Sequence, residues 1–106
     1  MKTLTLSLHK AAFDVMVTGE KIREFRKPTK WILSRLYNKD GSEKKYDAVK
    51  FINGYGAHRP YFVCKLRCFY RSITKYNSTF SNGLNVEVEK GDLIIVLGDI
   101  IETGNL

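Results

Sequence analysis

The sequence predicts an α+β fold, a small β-barrel of about five or six strands with two short flanking helices, and three observations point to it. Residues 3–8, TLTLSL, alternate strictly between apolar and polar. Two stretches before residue 40 carry apolar residues at helical spacing. The rest of the chain is rich in β-branched and aromatic residues broken by Gly, Asn and Asp clusters. Closing such strands into a barrel would remove exposed edges.

In the opening segment, Leu4, Leu6 and Leu8 share one face and Thr3, Thr5 and Ser7 the other, the pattern of a half-buried strand. HKAAFDVMVTGE places Ala12, Phe13, Met16 and Val17 on one helical face, and Gly19 supplies a helix stop. KIREFR then reads as a strand that Pro28 ends. TKWILSRLYN carries Trp31, Leu33, Leu36 and Tyr37 at roughly helical intervals and predicts the second helix, closed by the turn KDGS. The neighbouring run KDGSEKK is a solvated loop. YDAVKFING is a third strand with Ala48, Phe51 and Ile52 as inward candidates, and NGYGAHRP is a Gly-rich turn. YFVCKLRCFYRSITKY is longer than a usual strand and is expected to be bent or bulged. NSTFSNG reads as a loop, LNVEVEKGD as a short strand and turn, and LIIVLGDII as a buried final strand. No linker, repeat or low-complexity tract divides the chain, so residues 1–106 are expected to form a single domain.

Charge favours an anionic partner. The 18 Lys+Arg against 11 Asp+Glu give a formal charge of +7 and a pI near 9.5, which fits nucleic acid or a nucleotide and equally fits a surface kept soluble by its excess charge. Cys64 and Cys68 stand at an even offset, on one face of an extended strand and about 13 Å apart. That exceeds disulfide reach, so both are read as reduced core residues. His9 and His58 are the only histidines and no paired-carboxylate motif accompanies them, so neither metal nor cofactor is expected. The alternating start lacks the apolar block of a signal peptide, and LIIVLGDII is interrupted by Gly98 and Asp99, so no membrane association is expected and the location expected is the cytoplasm.

GEKIREFR, residues 19–26, concentrates charge where a core-supplying element is expected. On a strand Ile22, Glu24 and Arg26 point one way and Lys21, Arg23 and Phe25 the other, but the turn at Gly19 can swing Lys21 toward Glu24. A carboxylate between an ammonium and a guanidinium stays ionised while the cations keep donors for a phosphate or carbonyl. A row of solvent-exposed ion pairs, each worth little, has the same spacing. Asn53, Tyr55 and Arg59 lie on the Gly-rich loop, where Tyr55 can stack on a base and Asn53 can bond its edge, or where the polar residues simply satisfy a turn. Ser7 and Lys10 flank the first strand–helix junction, as phosphate contacts or as a plain helix start. Lys65, Arg67 and Arg71 fall on one face of the long strand and either extend the positive surface or solvate an outer face. Of Trp31, Tyr37, Phe51, Tyr61, Phe62, Phe69 and Tyr70, most are expected in the core.

GEKIREFR also matches Gly-x-Lys-x-x-Glu-x-Arg, and the chain thereby resembles the ASCH (activating signal cointegrator homology) domains, a branch of the PUA-like superfamily. LTLSLHKAAFDVMVTGEK looks like that family's opening strand and helix, and YDAVKFINGYG and LIIVLGDIIE look like segments of its small stand-alone, often phage-borne members. The resemblance implies a PUA-like barrel and a cleft, lined by Lys21, Glu24 and Arg26, for RNA or a modified nucleotide; a phage origin would place it in the host cytoplasm. It also implies an alternative. Some small members are similar to amidohydrolases acting on N4-acylated cytidine, and others are associated with ribonuclease activity. In the amidohydrolases a Thr follows the Lys by three residues as nucleophile; Glu24 stands at that position here, which favours binding. Hydrolysis would then need Lys21 and Glu24 as a water-activating pair, with Glu87, Glu89 or Glu102 as a further acid.

Overall fold

Leu4, Leu6 and Leu8 are buried and the residues between them are not, so the alternation at the start of the chain produces the strand β1 (Thr3–Leu8). The computed structural model describes residues 1–106. The helix α1 (Lys10–Val17) follows and buries Phe13, Val15 and Met16. Next come β2 (Arg23–Arg26), α2 (Lys30–Leu36), β3 (Ala48–Asn53), β4 (Tyr61–Arg71), β5 (Tyr76–Thr79), β6 (Asn85–Val88) and β7 (Leu93–Gly104).

The architecture is α+β. Five strands form one sheet in the order β1-β3-β4-β7-β2, and β5 and β6 form a separate two-stranded sheet. β1 and β3 run parallel, with α1 in their connection, and the remaining pairs are antiparallel. The large sheet curls into a half-barrel around Leu6, Phe51, Phe62, Leu93 and Ile95, with α1 and α2 adding Phe13, Met16, Ile32 and Leu36 to the same core. The expected closure does not occur through backbone pairing: β1 and β2 are the two edges of the sheet and form no ladder with each other. Side chains of β2 fill that seam instead, and this is where the charged segment lies.

Four local expectations are corrected. Residues 77–83, expected as a loop, belong to a hairpin: Asn77 pairs with Glu87 and Thr79 with Asn85, and the turn is closed by Phe80 N–H donating to the Leu84 carbonyl at 2.9 Å. The strand expected from Lys21 begins at Arg23, because Lys21 N–H is diverted to the Val15 carbonyl of α1 at 2.9 Å. Cys64 and Cys68 do not share an environment: Cys64 is buried and Cys68 exposed. The register of β4 against β7 shifts at Val63/Cys64, Cys64/Leu66 and Leu66/Cys68, and those irregularities break the period of two on which the shared face rested. In α2 the buried residues are Ile32 and Leu36, which leaves Trp31 49% exposed under the Arg35 guanidinium, 5.1 Å from its ring.

The bulge of the long strand and the aromatic core are found as expected, while two strands differ in extent or burial. β4 is bulged, and it stops at Arg71. β3 buries Ala48, Val49 and Phe51, while Ile52 is half-buried. Phe51, Phe62 and Phe69 are core, and Tyr37 packs edge-on against Phe69 with centroids 5.5 Å apart. The final strand is buried only over its first half; from Asp99 to Thr103 it is exposed. No helix is long and apolar enough to cross a membrane.

Candidate functional site

The geometry of the site starts at the end of α1. Gly19 has φ +87°, a conformation that costs a residue with a Cβ about 1–2 kcal/mol, and its N–H closes on the Met16 carbonyl at 3.0 Å. The chain then doubles back, Lys21 N–H takes the Val15 carbonyl, and the Lys21 side chain turns inward below the helix. Only 1% of that side chain is exposed.

Every donor of the Lys21 ammonium is used. Nζ bonds the Arg23 carbonyl at 2.6 Å, Glu24 Oε1 at 2.9 Å and the Met16 sulfur at 3.5 Å. The rings of Phe25 and Phe80 lie 5.1 and 5.9 Å from it. Glu24, whose side chain is 8% exposed, is engaged on both oxygens: Oε1 also accepts from the Phe25 N–H at 3.2 Å, and Oε2 from Arg26 Nε at 2.8 Å. Arg26 then crosses the open seam and its Nη2 donates to the Ser7 carbonyl of β1 at 2.7 Å. Two edge strands that share no backbone bond are thus joined by a Lys21–Glu24–Arg26 chain. A solvent-exposed row of ion pairs does not describe it.

The chain forms the floor of a cavity of about 660 Å³. Eight positions singled out from the sequence line it: Ser7 and Lys10 from the first strand–helix junction, Lys21, Glu24 and Arg26 from the charged segment, and Asn53, Tyr55 and Arg59 from the Gly-rich loop; Lys65, Arg67 and Arg71 do not. The lining residues play unequal parts. Lys21 has spent its donors within the protein and both Glu24 oxygens are engaged, whereas Arg26 is 25% exposed along its side chain and its Nη1 carries no protein partner. Arg59 folds back over its own loop, Nε donating to the Asn53 carbonyl at 2.7 Å, which leaves both its terminal nitrogens free. Gly54 makes this possible: it has φ +82°, and a Cβ there would stand 3.2 Å from Arg59 Nη2. Tyr55 is 86% exposed at the rim, and Lys10 reaches outward to Asp14 at 2.6 Å.

Sequence reasoning missed the apolar wall. Leu84 and Val86 of the β5–β6 hairpin face the cavity together with Phe25, Leu8, Ala11 and Ala12. The hairpin is held there by its turn: Ser81 donates through its N–H, at 2.7 Å, and through its hydroxyl to the Glu20 carboxylate, and Asn82 Nδ2 donates to the Ala11 carbonyl at 2.9 Å. These bonds hold the Glu20 carboxyl below its ordinary range, the Ser81 hydroxyl having the larger effect. The alternation Leu84, Val86, Val88 was the available signal, obscured by the polar residues between them. Glu87, Glu89 and Glu102, considered as further acids, do not line the cavity; Glu102 accepts from the Tyr61 hydroxyl at 2.6 Å. No group of three or more His, Cys, Asp or Glu side chains is placed to hold a metal ion.

In comparisons with known proteins, no family model matches the chain, and no curated protein and no solved structure matches it.

Proposed function

We propose that this chain is an ASCH-type domain that binds RNA or a modified nucleotide in the cavity between α1, β2, the Gly-rich loop and the β5–β6 hairpin. The observation that carries this reading is convergence: the charged segment and the Gly-rich loop, about thirty residues apart, bring Arg26 and Arg59 to a single cavity in which Glu24 is the one carboxylate. Its volume of about 660 Å³ falls in the range of small-ligand sites and suits one nucleotide unit. An apolar wall on the hairpin side and a rim tyrosine offer surfaces for a base, while the guanidinium groups offer donors for phosphate. The overall charge of +7 supports the same partner class.

Binding is favoured over hydrolysis by the bonding of the two residues that hydrolysis would need. Lys21 donates three hydrogen bonds, one of them to Glu24, so it has no donor left to polarise a substrate carbonyl without dismantling the cluster. The test is retention of a short labelled RNA as a function of salt, with N4-acetylcytidine turnover measured in parallel. Retention that weakens with salt and with Arg59→Ala, without turnover, supports the proposal. Absence of any retention at low salt refutes it, and turnover lost in both Lys21→Ala and Glu24→Ala replaces it with a hydrolase.

A further inference from the structure

The hydrogen bonds divide the cations of the cavity into two groups with different work. Lys21 is buried and spends its donors on Glu24, the Arg23 carbonyl and the Met16 sulfur, so it has none to offer a ligand. Arg26 is fixed by two bonds, through Nε to Glu24 and through Nη2 to the Ser7 carbonyl, yet keeps Nη1 unpaired and open to the cavity. Arg59 is fixed through Nε alone and keeps Nη1 and Nη2. Both guanidinium groups are therefore oriented from the protein side, Arg59 with the planar pair Nη1 and Nη2 still unused and Arg26 with Nη1 unpaired, donors in fixed planes that suit a phosphate and that a point-charge ammonium does not reproduce.

Resting on the nucleotide-binding reading above, we infer that Arg26 and Arg59 form a dedicated phosphate clamp, so that the cavity selects a nucleoside phosphate over the nucleoside itself. Lys21 and Glu24 act as positioning residues that hold the Arg26 guanidinium at the seam. The phosphate can belong to a free mononucleotide or to a unit of an RNA chain; the chemistry recognised is the same.

The experiment is calorimetric titration of the wild-type chain with the four common ribonucleosides, their 5′-monophosphates and a 5′-hydroxyl hexaribonucleotide. Arg26→Lys and Arg59→Lys are compared, both of which keep the charge and remove the planar donors. At least one monophosphate is expected to bind about tenfold or more tightly than its nucleoside, the effect of gaining charge-assisted hydrogen bonds. Each Lys variant is expected to shrink that ratio to about threefold or less. Arg59→Lys lies outside the Glu24 cluster, so it tests the clamp even where Arg26→Lys fails to fold. Binding of the hexanucleotide alone, weakened by Arg59→Lys, supports the clamp with a chain phosphate as its ligand. Equal binding of nucleoside and monophosphate overturns the clamp and leaves nucleotide binding standing. No binding by any of the three classes overturns the nucleotide reading and the clamp with it.

Discussion

Removing the Glu24 carboxylate is the sharpest perturbation of the seam. In Glu24→Ala the Lys21 ammonium stays 1% exposed and keeps only the Arg23 carbonyl, a sulfur and two ring faces. The Arg26 guanidinium loses its Nε partner at the same time. Breaking a buried ion pair by removing one member costs about 3–5 kcal/mol, because the surviving charge cannot reach water. A domain of this size has roughly 5–15 kcal/mol in total, so about a fifth or more of its stability is at stake. The midpoint of thermal unfolding is expected to fall by on the order of 15 °C. The control is Lys21→Met combined with Glu24→Leu, which removes both charges and leaves Arg26 with access to solvent. This double variant is expected to cost less than Glu24→Ala alone, and far less than the sum of the two single changes. Urea and thermal unfolding of wild type, Glu24→Ala, Lys21→Met, Glu24→Leu and the double variant measure it. A loss under about 1 kcal/mol in Glu24→Ala, or simple additivity, would refute the claim that Glu24 exists to hold two buried-side cations.

Other consequences can be checked separately. Asp92 is buried and accepts from Lys27 Nζ at 2.6 Å and from the Glu89 N–H at 2.8 Å. Burial alone would raise its carboxyl, but those bonds and the charges of Lys27 and Arg71 outweigh it and place the group below its ordinary 3.8. A carboxyl depressed in the folded state contributes stability that is fully present above its unfolded value and is lost as pH falls through its folded one. Wild-type stability should therefore decline below about pH 4, and Asp92→Asn should decline less steeply over the same window in acid-unfolding curves. Burial raises the Cys64 thiol to about 12, so native protein should react with a thiol reagent only at the exposed Cys68, and at both cysteines once unfolded; two reactive thiols in the native state would contradict the fold of β4. Glu20→Gln should speed hydrogen exchange at the Ser81 amide and its hairpin neighbours at neutral pH and leave the amides of β3 unchanged. Gly19→Ala should cost about 1–2 kcal/mol from backbone conformation alone, since a Cβ there has open space, with urea unfolding as the measure.

The sequence was most readable where one period ran without interruption. Leu4, Leu6 and Leu8 alternate over a strand with a single covered face, and Phe13 and Met16 repeat on a short helix that Gly19 ends. The mixed charges of residues 19–26 and the Gly-rich loop were legible as a site because each breaks the pattern around it, and the structure gathers both at one cavity. Direction was less legible. Lys21 was read as the start of a strand that the Gly19 turn could swing toward Glu24; the swing is found, and what sets it is a backbone bond to Val15, a contact that no local propensity encodes. β5 and its pairing with β6 were missed because β5 is short and half exposed, so its alternation is faint; what stabilises the hairpin is docking onto Glu20 and Ala11, far away in sequence. The separation of Cys64 from Cys68 depends on irregularities in β4, which arise from its partner strand β7 as much as from its own residues.

The most direct test of the central claim is a nuclear magnetic resonance titration of the isotope-labelled chain with a mononucleotide and with a short RNA. Binding in the cavity predicts saturable shifts at Ser7, Arg26, Asn53, Tyr55, Leu84 and Val86, residues remote in sequence that share only this space. Shifts confined to outward basic residues such as Lys65 and Arg67, or no shifts at all, would contradict it.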